Sequence, residues 1–248
     1  MSKMYIYGVH PVEELLERMP ERIDEIAVAS DLKDGRWAQI RSALDEVDAP
    51  TRRVSSQELD RLAEGGNHQG IAAGVSSYPY RHLDDIVEEL ASRPGHRCIV
   101  ALAQIQDPGN LGAILRSCAG LGADAVVIPK HRAAHMTSAV IRASAGMAFY
   151  TPVVRVTNLS RALRTLKDEG WWVVGTVADE AQPLWEMDWK LDSVVVMGGE
   201  HKGMRPGVEK ECDFRVTIPL PAEVESLNVA SAASVVLYDR MSGLNTDR

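Results

Sequence analysis

Six short apolar runs recur through the second part of the chain, and polar residues rarely interrupt them. They are CIVALA, AVVIP, VVRV, WWVVGTV, SVVVMG and FRVTIP, with helical segments between most of them. Runs of valine and isoleucine without polar alternation are typical of parallel strands buried on both faces. The pattern predicts a doubly wound α/β domain, in which ligands bind at the carboxyl ends of the strands.

The first part of the chain, residues 4–77, has the pattern of a smaller α/β unit. HPVEELLERM places apolar residues at helical spacing, and SSQELDRLAEGG offers a serine start and a glycine stop for a second helix. IDEIAVAS, TRRVS and QGIAAGVSS are predicted strands. We therefore predict a small domain over residues 1–78, a linker over 79–96 and a larger domain over 97–248.

Composition excludes several classes of protein. The 248 residues are 45% hydrophobic, enough for a full core, and contain no run of 18 apolar residues. The start, MSKMYIYGVHPVEELL, lacks the pattern of a secretion signal. Cys98, Cys118 and Cys212 are far apart and form no CxxC pair. These features predict a cytoplasmic protein with reduced cysteines and no membrane span.

The charge is unevenly distributed. The net charge is −8, but residues 1–95 carry 11 Lys/Arg against 18 Asp/Glu, whereas residues 96–248 carry 16 against 17. Residues 125–167 contain no acidic residue; their basic residues are Lys130, Arg132, Arg142, Arg155, Arg161, Arg164 and Lys167. This stretch indicates either a solvated basic face or a surface that contacts a polyanion.

Three segments that follow predicted strands carry candidate chemistry. In QDPGNLGAILRS, Asn110 stands where a helix N-cap is expected, and Arg116 lies on the polar flank of that helix. In VVMGGEHKGMRP, Gly198 and Gly199 permit close backbone approach to a ligand, and Glu200 follows them directly. In IPLPAEVESLNVASAAS, two prolines hold the loop extended, and Asn228 begins a helix rich in small residues.

Several familiar sites are absent from the pattern. GLGAD is not a dinucleotide-binding loop, because its glycines follow a helix and precede a strand. His131 and His135 have the spacing of zinc ligands, but HRAAH lacks the glutamate of HExxH and any evident third ligand. No metal site is therefore predicted.

The three segments together carry a resemblance to a known family. DPGNLGAILRS, VVMGGEHKGMRP and IPLPAEVESLNVASAAS resemble, in order and spacing, the three motifs of the SpoU family of RNA ribose 2′-O-methyltransferases, part of the SPOUT superfamily. That similarity covers about residues 97–240. YGVHPVEELL and NHQGIAAGV resemble a small substrate-binding domain related to ribosomal protein L30e. The overall layout is most similar to the branch that methylates a guanosine ribose in the peptidyl-transferase loop of 23S rRNA.

The resemblance implies a parallel-sheet domain with a deep trefoil knot, S-adenosylmethionine as methyl donor, no metal, an RNA substrate and an obligate homodimer whose partner helps to complete the site. The residues that match the family's catalytic positions are Asn110, Arg116, Glu200, Ser226 and Asn228. The residues that match its cofactor pocket are Thr176, Gly198, Ile218 and Leu227.

Arg116 matches an arginine to which the family assigns the role of base. We expect a different role, because a guanidinium keeps its proton to a pKa above about 12. A clamp on a substrate phosphate that also stabilises the developing alkoxide is physically easier.

Three other functions stay open. The same chemistry on a D-loop guanosine of tRNA is disfavoured by the extra domain over residues 4–77. An adenosine-directed, antibiotic-resistance type of rRNA methyltransferase shares the two-domain layout. A non-catalytic RNA-binding or ribosome-assembly module would not need all five catalytic-type residues together.

Overall fold

A computed structural model of the protein describes residues 3–30, 44, 47–178, 181–199 and 203–245. The chain forms two compact units, one of residues 1–79 and 136–150 and the other of residues 80–135 and 151–248. No helix among these described residues is long and apolar enough to cross a membrane.

The first unit contains a four-stranded sheet. Its strands are β1 (Met4–Tyr7), β2 (Ile23–Ala29), β3 (Thr51–Val54) and β4 (Ile71–Val75). The order is β1-β4-β2-β3, with β2 and β3 parallel and the other pairs antiparallel. Every strand lies within a segment that the sequence suggested, apart from β1, whose segment carried no strand prediction.

Two helices of this unit confirm their sequence predictions. Helix α1 (Val9–Arg18) buries the apolar side of HPVEELLERM, namely Pro11, Val12, Leu15 and Leu16. Helix α2 (Ser56–Leu62) begins after Ser55, whose side chain accepts a hydrogen bond from the Glu58 backbone N–H at 3.2 Å. The serine therefore satisfies one of the otherwise unpaired N–H groups at the helix start.

A segment from the middle of the chain belongs to this first unit. Residues 136–150 contain helix α3 (Ser138–Ala143) and a 3₁₀ turn, Met147–Phe149. The Tyr78 hydroxyl donates to the Ala148 carbonyl at 2.6 Å. Gly146 has φ 86°, and a Cβ there would lie 2.9 Å from Glu14. This division differs from the predicted one, which assigned the whole of residues 97–248 to the larger domain.

The second unit is built on a seven-stranded, all-parallel sheet. Its strands are β5 (Cys98–Leu102), β6 (Ala125–Pro129), β7 (Val153–Val156), β8 (Trp172–Thr176), β9 (Gln182–Pro183), β10 (Ser193–Met197) and β11 (Phe214–Thr217). The order is β7-β6-β5-β10-β8-β11-β9. The six apolar runs become six of these strands, which confirms the predicted fold class, while the two-residue β9 has no such run. The trefoil knot stays a prediction.

Five helices accompany this sheet in the described part of the second unit. They are α4 (Leu83–Ala91), α5 (Pro108–Gly120), α6 (Leu159–Asp168), α7 (Pro206–Glu209) and α8 (Val229–Leu244). Helix α4 lies in the predicted linker, yet its Ile86 and Leu90 are part of the hydrophobic core of the second unit. The apolar i, i+4 pair explains why this segment folds as a helix against the sheet.

The strand order reverses at the centre of the sheet. Strands β5, β6 and β7 run outward to one side, whereas β10 and β8 lie on the other side of β5. Crevices at such a reversal, beside the carboxyl ends of the strands, are where open parallel sheets bind ligands. The loops after β5, β8, β10 and β11 all begin at this edge of the sheet.

Candidate active site

The loops after β5 and β10 contact each other through their backbones. The Ala103 N–H donates to the Met197 carbonyl at 2.9 Å. A Cβ on Gly199 would lie 3.0 Å from the Gln104 carbonyl oxygen, and one on Gly198 would lie 3.0 Å from the Gly203 backbone. We predicted that these glycines let a ligand approach. The structure shows that Gly199 lets the two loops approach each other, while Gly198 lets its own loop fold back closely on Gly203.

Gly199 and Gly203 close the second loop. Each donates its backbone N–H to the carbonyl of the other, at 3.1 Å in both directions. Gly203 has φ 56°, a left-handed conformation that glycine adopts without strain. The predicted catalytic residue Glu200 lies between these two glycines in the sequence, but outside the residues that the structure describes.

A cleft of about 890 Å³ opens between the loops that follow β8, β10 and β11. Its lining includes all four residues predicted for cofactor binding, Thr176, Gly198, Ile218 and Leu227, and also Ser226. Clefts of this volume take ligands of nucleoside size. The Thr176 hydroxyl donates to the Val196 carbonyl at 2.9 Å, so this side chain joins two strands of the sheet.

Helix α5 begins three residues earlier than we predicted, because its N-cap is residue 107 and not residue 110. Its N-cap is Asp107, whose carboxylate accepts from the Asn110 backbone N–H at 2.7 Å, and Pro108 occupies the first helical position. Because proline is well suited to that position, the Asp-Pro pair starts the helix there. The prediction that Asn110 is the N-cap was therefore wrong, and its side chain is not used for capping.

The Asn110 side chain instead contacts the start of the last helix. Its Oδ1 accepts a hydrogen bond from Nδ2 of Asn228 at 3.0 Å. Asn228 is the N-cap of α8, as predicted, because its Oδ1 accepts from the backbone N–H groups of Ala230 at 2.9 Å and Ser231 at 3.4 Å. One amide thus caps α8 and joins it to α5.

A second pair of polar side chains joins the same helices one to two turns farther on. The hydroxyl oxygens of Ser117 on α5 and Ser234 on α8 are 2.8 Å apart. Since residues 110 and 228 meet at the start and 117 and 234 meet later, the two helices run side by side in the same direction. Both N-termini therefore lie together, next to the cleft, because Asn228 directly follows the lining residue Leu227.

The remaining candidates are exposed. Ser226 faces the cleft and is exposed, and Arg116 is exposed on α5. Arg116 is six residues beyond Asn110, or about 9 Å along the helix. No hydrogen bond or ion pair within the described part of the chain holds its guanidinium. The structure thus joins Asn110 with Asn228, places Ser226 at the cleft, and leaves Arg116 open to solvent.

The cysteines do not contribute a nucleophile. Burial raises the pKa of Cys98 to about 11, raises the pKa of Cys118 further, and raises the pKa of Cys212 to about 11. The thiolate is the reactive form of cysteine, so the three free thiols are inert near neutral pH. No group of three His, Cys, Asp or Glu among the described residues is arranged to hold a metal ion.

Comparison with known proteins identifies the family. The model of the SpoU rRNA Methylase family matches residues 97–238. A second model, RNA 2′-O ribose methyltransferase substrate binding, matches residues 5–81.

The chain belongs to the SpoU rRNA methylase family.

Curated relatives of this SpoU family member match it over almost its whole length. The 23S rRNA (guanosine-2′-O-)-methyltransferase RlmB of Vibrio parahaemolyticus is 36% identical over 239 residues, covering 96% of each chain. The enzyme of the same name from Escherichia coli K12 is 36% identical over 242 residues, 96% of this chain and 98% of its own.

Solved structures of SpoU proteins share the fold. The methyltransferase AviRb from Streptomyces viridochromogenes, in complex with AdoMet, has a TM-score of 0.80 at 24% identity and covers 97% of this chain and 90% of its own. An AdoMet-bound rRNA methyltransferase from Sinorhizobium meliloti has a TM-score of 0.82 at 22% identity and covers 98% and 88%.

Sequence reasoning missed three features of this SpoU site. The Asp107 cap had a usable signal, since an aspartate before a proline is a common helix start. The Ser117–Ser234 contact had no such signal, because nothing in the local sequence of either helix indicates which residue the other serine contacts. The same is true of Gln104 and Arg205, which come from the loops after β5 and β10. With the Gln104 amide assigned so that its oxygen faces Arg205, that oxygen accepts from Nη2 and Nε of Arg205 at 3.1 and 3.2 Å.

Proposed function

We propose that the protein transfers a methyl group from S-adenosylmethionine to the ribose 2′-hydroxyl of a guanosine in 23S rRNA. The main support is the match over 96% of the chain to two enzymes that carry this activity in their names. The neighbouring structures of AviRb and the Sinorhizobium enzyme contain AdoMet, which supports the choice of donor.

The 890 Å³ cleft fits such a donor by its chemistry. Its walls combine apolar side chains, among them Met197 and Leu220, with the backbone polar groups of three loops. Apolar walls with a few placed polar groups are typical of sites that bind nucleosides. The carboxylates of Glu209 and Glu225 also line the cleft and favour a cationic ligand. Thr176, Gly198, Ile218 and Leu227 would hold the donor mainly through their backbones.

When bound, S-adenosylmethionine supplies a methyl group on a positively charged sulfur. The role of the protein is then to position the ribose oxygen, because correct placement of the reacting atoms can supply much of a rate enhancement. Asn110, Ser226 and Asn228 would orient the ribose from the start of the two joined helices. Glu200 belongs to the same loop as the cleft residues Gly199 and Gly203 and would complete this set.

The ribose hydroxyl must lose its proton as its oxygen gains the methyl group. Arg116 would hold the adjacent phosphate and stabilise negative charge that develops on that oxygen. Its exposure and the lack of a partner within the described residues leave its five N–H donors available for this purpose.

We further propose that the protein acts as a cytoplasmic homodimer and that a second copy covers the outer face of α8. Val235 and Tyr238 on that helix are 40% and 60% exposed, and Val224 and Leu227 in the preceding loop are 43% and 37% exposed. Exposed apolar patches of this kind are typical of interfaces. The first unit would contact the RNA, since the family model that matches residues 5–81 describes a substrate-binding domain.

The test is methyl transfer from labelled S-adenosylmethionine to purified RNA, followed by mapping of the labelled nucleotide. The RNA samples are unmodified 23S rRNA, the same RNA that already carries the ribose methyl group, and unmodified tRNA. We expect label on one guanosine of unmodified 23S rRNA alone. Label on tRNA or on an adenosine would show that the substrate differs from the one proposed. The absence of transfer to any RNA would refute the enzymatic function.

A further inference from the structure

A second cleft, of about 800 Å³, lies at the same carboxyl edge of the parallel sheet. Its walls come from the loops after β5, β6 and β7 and from the start of α7. The lining side chains that matter here are Gln104, His131, Arg132, Asn158, Ser160 and Arg205. None of the described residues considered for methyl transfer, namely Asn110, Arg116, Ser226 and Asn228, lines this cleft.

The two clefts are neighbours that share one wall. Gly199 lines the first cleft and Gln104 lines the second. Their backbones are in close contact, since a Cβ on Gly199 would lie 3.0 Å from the Gln104 carbonyl oxygen. A polymer with one residue at the edge of the first cleft can therefore place an adjacent residue in the second.

The second cleft is positively charged. Arg132 and Arg205 are both exposed, and neither forms an ion pair with a carboxylate among the described residues. Among the residues that the structure describes, no aspartate or glutamate contributes to the lining. Two other basic residues of the stretch 125–167 are neutralised: Arg164 pairs with Glu211 at 2.5 Å and Lys167 with Asp213 at 2.6 Å.

The Arg205 guanidinium is held by a neutral side chain, so its positive charge is not compensated by a carboxylate. We assign the Gln104 amide with its oxygen towards Arg205, because only this orientation satisfies both groups; the oxygen then accepts from Nη2 and Nε of Arg205, at 3.1 and 3.2 Å. A neutral partner fixes the plane of the guanidinium and leaves its positive charge available for an anion. The start of α6 adds to the field, because its N-cap Asn158 and Ser160 in its first turn both line the cleft and helix N-termini attract phosphate.

We propose that this second cleft binds the phosphate of an RNA nucleotide next to the one that is methylated. Arg132 and Arg205 contact the phosphodiester, and the neighbouring first cleft sets the distance to the reacting ribose. This inference rests on the proposed function for the identity of the polyanion. It assigns the basic residues after β6 and β10 to substrate positioning, separately from the methyl-transfer residues on α5 and α8.

The test uses Arg205→Gln and Arg132→Asn, because asparagine tolerates the positive φ of 58° at position 132. Arg93→Gln is the charge-matched control: Arg93 is 61% exposed and pairs with Asp124, which precedes β6 at the opposite edge of the sheet. The full-length proteins are titrated with an unmodified 23S rRNA fragment at several salt concentrations, and binding of S-adenosylmethionine is measured separately.

We expect each cleft variant to bind RNA about 10-fold more weakly and to lower the slope of log K against log salt by about 0.7, the contribution of one phosphate contact to a single strand. KM for RNA rises, whereas kcat and the affinity for S-adenosylmethionine remain as in the wild type. The control matches the wild type in all five quantities.

RNA affinity and salt slope at wild-type values in both variants would overturn the inference. The inference would also be overturned if inorganic phosphate or guanosine monophosphate bound in the cleft without lowering the RNA affinity. The cleft would then be a site for a small free phosphate. The binding readout does not depend on methyl transfer. A wild-type protein that binds RNA but transfers no methyl group would refute the proposed function, while the two variants would still test the cleft.

Discussion

Asn228 donates a hydrogen bond from its Nδ2 to Oδ1 of Asn110 at 3.0 Å, while its own Oδ1 caps helix α8. The bond connects residues 118 positions apart in the chain. Because the two atoms of one amide have separate tasks, substitution can separate the capping of the helix from the contact between helices.

Asn228→Ser should keep the cap and lose the contact with Asn110. Serine caps helices about as well as asparagine, so the free energy of unfolding should change by only a few tenths of a kcal/mol. Methyl transfer should fall at least about 10-fold, which corresponds to about 1.4 kcal/mol in the barrier. Asn228→Ala loses both, with an additional cost of about 1 kcal/mol in stability. Urea unfolding and initial rates measure the two effects; equal rates for Asn228→Ser and the wild type would show that the contact is structural only.

Arg116→Lys should retain part of the activity, and Arg116→Gln should lose far more. A lysine keeps the positive charge but not the paired donors of a guanidinium, so it serves as a weaker phosphate clamp. Stability should be unchanged in both variants, because the side chain is exposed and has no partner in the described chain. Steady-state rates and RNA binding are measured together. Complete loss of turnover in Arg116→Lys with intact RNA affinity would contradict a role limited to the clamp.

Gly199→Ala should damage both the fold and the cleft. The added methyl group would lie 3.0 Å from the Gln104 carbonyl oxygen and 3.2 Å from that of Ala103, so one loop must move. We expect a loss of about 1–3 kcal/mol in the free energy of unfolding and weaker binding of S-adenosylmethionine.

Gly120→Ala, at the end of α5, is the matched control. No atom lies within 4 Å of the Cβ that it adds, and its φ is not positive. It should be neutral or stabilise the protein by up to about 1 kcal/mol. Urea unfolding measures the stability of both variants, and calorimetry measures their binding of S-adenosylmethionine. Equal losses in Gly199→Ala and Gly120→Ala would argue against a steric cause.

Acid should weaken the first unit through Glu25. Hydrogen bonds from Lys3 at 2.8 Å, Tyr5 at 2.9 Å and Arg52 at 3.1 Å lower the pKa of Glu25 from about 4.5 to about 2. A lowered pKa in the folded state stabilises the fold above the unfolded value, and that contribution disappears as the pH falls from about 4.5 towards 2.

Glu25→Gln should therefore be less stable than the wild type at pH 7, and the difference should shrink as the pH falls below about 4.5. Urea unfolding between pH 7 and pH 3 measures this difference. Glu88→Gln, which removes an exposed carboxylate with no ion pair among the described residues, should show no such dependence. A difference for Glu25→Gln that is constant with pH would show that its charge does not contribute.

The local pattern of the sequence determined the elements and the class of fold. The runs from CIVALA to FRVTIP became parallel strands, because a buried strand needs apolar residues on both faces wherever it lies in the sheet. Asn228 as a helix start was also a local property, since a cap bonds to N–H groups two and three residues away. The three motifs indicated the family, which the comparisons confirmed.

Only the tertiary structure decided which of these residues meet. Asn110 was misassigned as a cap although the local pair Asp107-Pro108 indicates the helix start, and no local signal could show that the Asn110 side chain contacts Asn228 instead. Residues 136–150 fold with the first unit for a similar reason: their contacts, such as Ala148 with Tyr78, are long-range. The second cleft depends on the order β7-β6-β5-β10, which brings Arg132 and Arg205 to one edge of the sheet. Periodicity along the chain specifies which face of an element is apolar, but the pairing of elements arises from the packing of the whole domain.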